Sequence, residues 1–285
     1  MLQRLAILFF ALFFTWPASV LAQGHGPVFG YATPTNSQGE YSFDAGLLSR
    51  SSADGTQLAA RGIVTYGFTS FLQIAITTPA LLTNTLLPPT RMTGGDDFEA
   101  KLGWRFHHHI SGVGKRFEST LFTGLVVPGP QSIGHLPTSV RSAPGGLIAF
   151  ATGVASRSHY FWAGAGFTSF APRAGDKNPN VFSYSLVYAY RPRSWRTEPN
   201  KWDWRILAEM TGERSGDFQK SGIDVIGSQS NQIFLGPSTL GVYKQFAIEG
   251  GVQFAVYHSV GPLLPKENVR VAINFTYFLF PAHQH

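Results

Sequence analysis

Cysteine is absent from this chain of 285 residues, so no disulfide framework holds it together. Charge is scarce as well. Asp, Glu, Lys and Arg make up 13% of the residues, about half the ~25% of a typical soluble domain. The formal charge of +6 comes without a dense Lys/Arg cluster on a groove-reading helix, which argues against nucleic acid as a partner. Beyond the first two dozen residues no apolar run is long enough for a membrane helix, and no helical periodicity supplies a layer to cover a sheet. The G-x-S-x-G elbow of lipases is missing. "GAGF" (164–167) lacks the strand–turn–helix setting of a nucleotide loop; its glycines fit a strand that bends or packs closely.

What is present is aromatic and small: Phe, Tyr and Trp reach 14%, exceeding the charged residues, alongside 31 glycines. That balance suits a protein whose outer surface faces lipid. Arg4, the apolar run 5–14, Pro17 and Val20-Leu21-Ala22 form a basic start, a short hydrophobic core and a small-residue cleavage site. Residues 1–22 therefore read as a cleaved secretory signal peptide. The Gly/Pro/Ser/Asn-rich stretch 23–38 reads as a flexible N-terminal tail. A barrel is expected over 39–280, and 281–285 form a C-terminal tail.

From residue 40 onward one theme repeats: about ten residues alternating apolar and polar, then a turn. This is the pattern of transmembrane β-strands. Strands are expected near 40–51, 56–68, 70–82, 96–108, 116–128, 146–157, 159–170, 180–191, 201–213, 230–243, 245–258 and 268–280. The fold class is thus all-β, a transmembrane antiparallel up-and-down β-barrel of about 12 strands. In the last strand Val269, Val271, Ile273, Phe275, Tyr277 and Leu279 share one face. Arg270, Ala272, Asn274, Thr276, Phe278 and Phe280 share the other.

A soluble sandwich alternates too. Two features favour the inverted arrangement, apolar outside and polar within. Bulky aromatics sit at strand ends on the apolar face (Tyr41, Tyr66, Trp104, Phe182, Tyr190, Trp202, Tyr243, Tyr277), as in the girdles of a membrane barrel. The connections also alternate between short and long, with two exceptions. The first hairpin, "ADG", is tight where a long loop is expected, and "PRSWRTEPN" is long where a short turn is expected.

Two segments carry a likeness to a known family. "WDWRILAEMTGERSG" (202–216) has a Trp-rich start and an inward glutamate. "QIFLGPSTLGVYKQFAIEGGVQFAVYHSVG" (232–261) has a Gly-Pro strand and an aromatic–Glu–Gly partner. With "YGFTSFLQIAITTP" (66–79) and the aromatic final strand, the chain resembles the phenol-degradation meta-pathway family of outer-membrane barrels. The resemblance implies an outer-membrane location and passage of small solutes, hydrophobic or aromatic compounds among them. One departure from that pattern is "PAHQH", which follows the last aromatic.

The inward set expected to line a permeation path is Glu99, Lys101, Arg105, Arg205, Glu209, Glu249, Gln253, Arg270 and Asn274, with Asp44, Arg50, Arg61 and Glu118 also on inward parity. Both signs are present, so such groups must pair or stay hydrated. The same set also fits a salt-bridge ladder that stiffens a closed barrel, which would leave a non-conducting barrel whose loops bind a ligand or partner. In "HHH" (107–109), His107 and His109 share a side and His108 does not. Two imidazoles alone fall short of the three or four ligands zinc prefers; a joint site with His283 and His285 on the same rim is the minor reading, and no metal or cofactor is expected. Tyr257-His258-Ser259 lacks the oriented third group of a nucleophilic site, so a lipid hydrolase is the weakest alternative and no enzyme activity is expected. The expected partners are outer-membrane lipid and a small-molecule solute. The basic residues Lys115, Arg116, Arg191, Arg193 and Arg196 would meet anionic headgroups.

Overall fold

The computed structural model describes residues 26–85, 97–128, 143–195 and 201–280. The signal peptide, residues 23–25, Arg196 and the 281–285 tail lie outside the described residues. Twelve strands close into an antiparallel barrel: β1 (Tyr41–Ser52), β2 (Gly55–Thr69), β3 (Leu72–Asn84), β4 (Phe98–Gly112), β5 (Lys115–Val127), β6 (Ala143–Ala155), β7 (His159–Ala171), β8 (Val181–Tyr190), β9 (Asp203–Ser215), β12 (Ser230–Tyr243), β13 (Phe246–Val260) and β14 (Glu267–Leu279). The two short strands β10 (Phe218–Lys220) and β11 (Ile223–Val225) form a separate hairpin. That hairpin lies in a connection that the sequence presents only as a loop.

Closure is made by β1 against β14, from Tyr41 opposite Leu279 to Ser51 opposite Val269. The same alternation that hides one face of each strand thus also removes the sheet edge, as hydrocarbon demands. The ladder is thinnest between β3 and β4, which pair only over 72–77 and 99–104. Beyond that level β3 runs on beside β2 to Asn84.

The rim where β1 begins and β14 ends, here the inner rim, carries tight turns at 70–71, 113–114, 156–158 and 244–245. The opposite, outer rim carries the long connections. Both exceptions foreseen in the sequence are present: the tight β1–β2 hairpin and the long 191–202 link, which contains the 3-10 turn Arg193–Trp195.

The apolar face points outward. Leu125, Ile148, Leu186, Phe254, Val271 and Phe275 are all well exposed, Leu125 at 65% and Ile148 at 53%. Inward-facing Glu209 and Gln253 are wholly buried. No soluble sheet exposes so continuous an apolar band; the band is the lipid contact of a membrane barrel. Aromatic pairs mark its inner edge: Tyr41 with Tyr66 at 4.5 Å between ring centres, Phe246 with Tyr277 at 5.3 Å, and Trp202 with Tyr243 at 5.5 Å.

Leu186 stands mid-strand on the outer face of β8. Leu186→Arg is expected to destabilise the barrel by about 2–4 kcal/mol in denaturant titrations of protein folded in lipid. A change within ~0.5 kcal/mol, the usual outcome for a water-exposed position, would contradict the inverted arrangement.

Candidate lumen site

Residues 26–38 are not the mobile tail that their Gly/Pro-rich composition suggests. They run through the lumen as a strap, entering from the inner rim beside β2 and β3 and ending at β8 and β9. Those two pairs stand on opposite walls, since the barrel order places β8 six strands from β2, and β9 six from β3, in a ring of twelve.

The strap is anchored along its course. At its near end the Asn36 amide donates to Gln73 Oε1 (2.8 Å) and the Thr35 hydroxyl to the Ser70 carbonyl (2.9 Å). The Thr33 carbonyl accepts from Thr120 Oγ1 (2.6 Å), and the Thr33 hydroxyl meets Glu118 (3.3 Å). Further across, the Tyr31 amide donates to Ser185 Oγ (2.9 Å) and the Tyr31 phenol bonds Ser183 Oγ (2.7 Å). At the far wall Glu209 Oε1 accepts from the Val28 amide (2.9 Å). Its Oε2 accepts from the amides of Phe29 (2.9 Å) and Gly30 (3.0 Å). Ser238 adds a hydroxyl donor to Oε1. An extended segment crossing a barrel has no neighbouring strand to take its amides. A carboxylate holding three of them supplies that need, and its own burial is tolerable because four donors surround it.

The wall is carved to receive this strap. A β-carbon at Gly164 or Gly166 would run into Tyr31, one at Gly251 would meet the Phe29 ring at 2.9 Å, and one at Gly67 would strike the Ser37 carbonyl. "GAGF" is therefore the seat of Tyr31, which accounts for two strand glycines in succession on the inward parity.

The strap and the wall divide the lumen unequally. On the side of β9 and β12 the interior is filled, and the filling extends onto the outer ends of β13, β14 and β1. Toward the outer rim, Arg270 bonds Glu267 (Nε to Oε1, 2.7 Å) and Glu213 (2.8 Å) and lies 3.8 Å over the Phe234 ring. Arg50 joins the same two carboxylates at 3.4 and 3.9 Å. Two cations and two anions thus cancel in a buried cluster, the arrangement such burial requires. At mid-height Gln253 accepts from Thr211 (2.9 Å) and donates to the Glu209 carbonyl (3.2 Å).

Toward the inner rim the lumen is apolar, contrary to the expectation of a uniformly polar interior. Ala155, Tyr160, Trp162, Val187, Leu207, Leu240 and Phe278 pack together, with Ala32 of the strap and Phe280 against them. Leu207 interrupts a polar inward set, and Phe278 shares its inward set with Ala272 and Phe280. Their burial stabilises the filled half by roughly 1.5–3 kcal/mol for each large side chain. Arg205 borders this cluster, stacked over Tyr160 at 5.2 Å and 3.4 Å from Asp203.

Between the strap and an arc of wall that runs from β13 and β14 through β1 to β7, a cavity of about 330 Å³ remains. Of the nine residues expected along a path, Glu99, Lys101, Glu249 and Asn274 line it, joined by Asp44 and Arg61. Lys101 pairs with Glu99 at 2.7 Å, and Asn274 donates to Glu249 at 3.3 Å. The other five stand elsewhere: Arg205, Glu209, Gln253 and Arg270 in the filled half, and Arg105 against Glu118 at 2.8 Å. Glu118 also takes Arg116 at 3.1 Å, binding the base of the β4–β5 hairpin to the strap.

β4 is longer than its pattern suggests, running to Gly112 rather than ending near His108. His108 approaches Glu118 (3.7 Å) while His107 packs edge-on to Phe117 (5.4 Å), so adjacent histidines do point apart. Among the described residues no three His, Asp or Glu converge as a metal site; His283 and His285 lie outside them.

No family model matches this chain, and no curated protein does. Among solved structures it is similar to the NanC porin, 8% identical with a TM-score of 0.52 over 84% of this chain and all of that one. At that identity the likeness is one of fold. LpxR from Salmonella typhimurium (7% identical, TM-score 0.43, 84% of this chain and all of that one) and OpdL of Pseudomonas aeruginosa (13%, 0.41, 78% and 59%) are more distant in shape and do not bear on the reading.

The lack of native cysteine permits a clean probe of the strap. Glu209→Gln replaces a charged acceptor by a neutral amide and should loosen the strap by on the order of 2–3 kcal/mol. A single Ala32→Cys, labelled with a membrane-impermeant maleimide, should then react at least tenfold faster than in the Glu209 background. Equal labelling rates would show that Glu209 does not hold the segment.

Proposed function

We propose that the barrel resides in an outer membrane and lets small solutes pass passively along the eccentric channel between the strap and the arc of wall from β13 and β14 through β1 to β7. The observation that carries this reading is the 330 Å³ cavity beside the strap, in a lumen whose other half is packed. Glu99, Lys101, Glu249 and Asn274 would line the path; Arg105, Arg205, Glu209, Gln253 and Arg270 would brace its walls. Lining charges of both signs favour neutral or dipolar solutes over ion selectivity, which calls for a ring of one sign. Tyr31 and Phe122 give the same cavity aromatic surface. That surface, together with the resemblance to the phenol-degradation meta-pathway barrels, supports small hydrophobic or aromatic solutes among the cargo.

The second reading, a non-conducting barrel that presents its loops to a ligand or partner, is favoured by the strap and the filled half-lumen. Flux separates the two. Proteoliposomes should take up solutes smaller than the cavity and exclude larger ones, and Thr77→Trp, which fills the lining of the cavity, should cut uptake tenfold or more. Absence of uptake both in the intact protein and in Glu209→Gln would leave only the non-conducting reading.

A further inference from the structure

The β4–β5 hairpin outruns its neighbour on one flank. β3 starts only after the 70–71 turn, and the last bond across that seam runs from the Arg105 amide to the Phe71 carbonyl (2.8 Å). β4 continues to Gly112, paired with β5 from His107 opposite Ser119 to Gly112 opposite Lys115. The far flank of the hairpin is braced by β6, which pairs with β5 as far as Arg116. On the near flank, among the described residues, no strand pairs with 107–112. This free backbone edge is roughly 20 Å long at ~3.3 Å per residue. Its ladder to β5 is regular over 107–110 and irregular at either end. Every residue from 107 to 115 is exposed, Ile110 at 67%.

Natural edge strands are commonly blunted by Lys, Pro or other charges, or are covered. Residues 106–114 contain no Lys, Pro, Asp or Glu. What surrounds the edge is basic. Between Glu99 and Asp176 the chain has a single acid, Glu118. It is buried and already held by Arg105 at 2.8 Å and Arg116 at 3.1 Å. Lys115 stands across the ladder from Gly112, and the Arg157 side chain lies against Gly114, 2.6 Å from where a β-carbon would sit. Both cations are exposed, and neither has an ion-pair partner among the described residues. His107 and His109 line the outer face of the edge, opposite Ser119 and Phe117.

An open row of amides and carbonyls accepts an extended chain, and a field of one sign selects a chain of the other. We propose that the 107–112 edge adds a strand from a partner protein: an extended, acidic segment on the aqueous side that the inner rim faces. The inference needs the barrel to be embedded in a membrane and is independent of whether its lumen conducts. It also gives the histidine run and the unexpected length of β4 a common purpose.

The test uses the full chain in phosphatidylcholine nanodiscs, with a fluorescent eight-residue peptide of alternating Glu and Val as the probe. Anisotropy should show saturable one-to-one binding, about tenfold tighter than for the Lys/Val counterpart. The acidic peptide N-methylated at every amide keeps its charge but cannot donate, and should bind at least tenfold more weakly. With Ser111→Cys as the only thiol of the barrel, a Cys in the peptide should be captured as a disulfide; with Ser194→Cys, on the β8–β9 link, it should not. The double variant Lys115→Glu, Arg157→Glu, confined to turns, should remove the preference for the acidic peptide. Absence of binding, equal affinity for the two charges, or undiminished binding of the N-methylated peptide would overturn the proposal. So would a dimer of barrels, read by native mass spectrometry, that the peptide does not dissociate. Loss of peptide binding on adding anionic lipid would assign the hairpin to headgroups and also overturn it. Failure of the chain to insert into nanodiscs would instead defeat the membrane reading beneath it.

Discussion

A strand in hydrocarbon has no water to satisfy its amides, and this constraint orders everything else in the molecule. It requires the sheet to close, as β1 does on β14. It also requires the apolar half of each alternating strand to face outward, which leaves the polar half to be accommodated inside. The scarcity of charge in the sequence follows, because most of the surface is in contact with lipid.

Twelve strands pose a particular problem inside. Eight leave a lumen that side chains can fill, and sixteen leave a wide aqueous channel. Here the interior is resolved asymmetrically. One half is packed by an ion cluster around Arg270, a hydrogen-bonded middle layer at Gln253 and Glu209, and an apolar floor at Leu207, Leu240 and Phe278. The strap borders this half, and the remaining space lies along the arc from β13 and β14 through β1 to β7. Glu209 is central to that division, because it converts the free amides of a segment without a strand partner into a buried, satisfied contact with the far wall.

The strands were legible because period-two alternation is a local property. Of the nine residues chosen by parity, Glu209 and Gln253 are wholly buried, and Glu99, Lys101, Glu249 and Asn274 line the cavity. Two features of the interior were not legible. The strap's composition is that of a mobile terminus, since what orders it is a set of side chains 37 to 181 residues away. One trace of it was the pair of inward glycines in "GAGF", whose missing β-carbons make room for Tyr31. The apolar floor was hidden for a related reason: its members Leu207, Leu240 and Phe278 come from separate strands, and the closed ring brings them together. Parity likewise could not separate residues beside the open cavity, such as Lys101 and Asn274, from those sealed in the packed half, such as Arg270. The long inner link, by contrast, was visible as an anomaly.

Amide hydrogen exchange of the barrel in lipid nanodiscs, resolved residue by residue, tests the central claim most directly. The amides of Val28, Phe29 and Gly30 should exchange as slowly as those of the β9 strand that holds them. Exchange at the rate of an unstructured peptide would mean that the segment does not span the lumen and that the division of the interior described here is wrong.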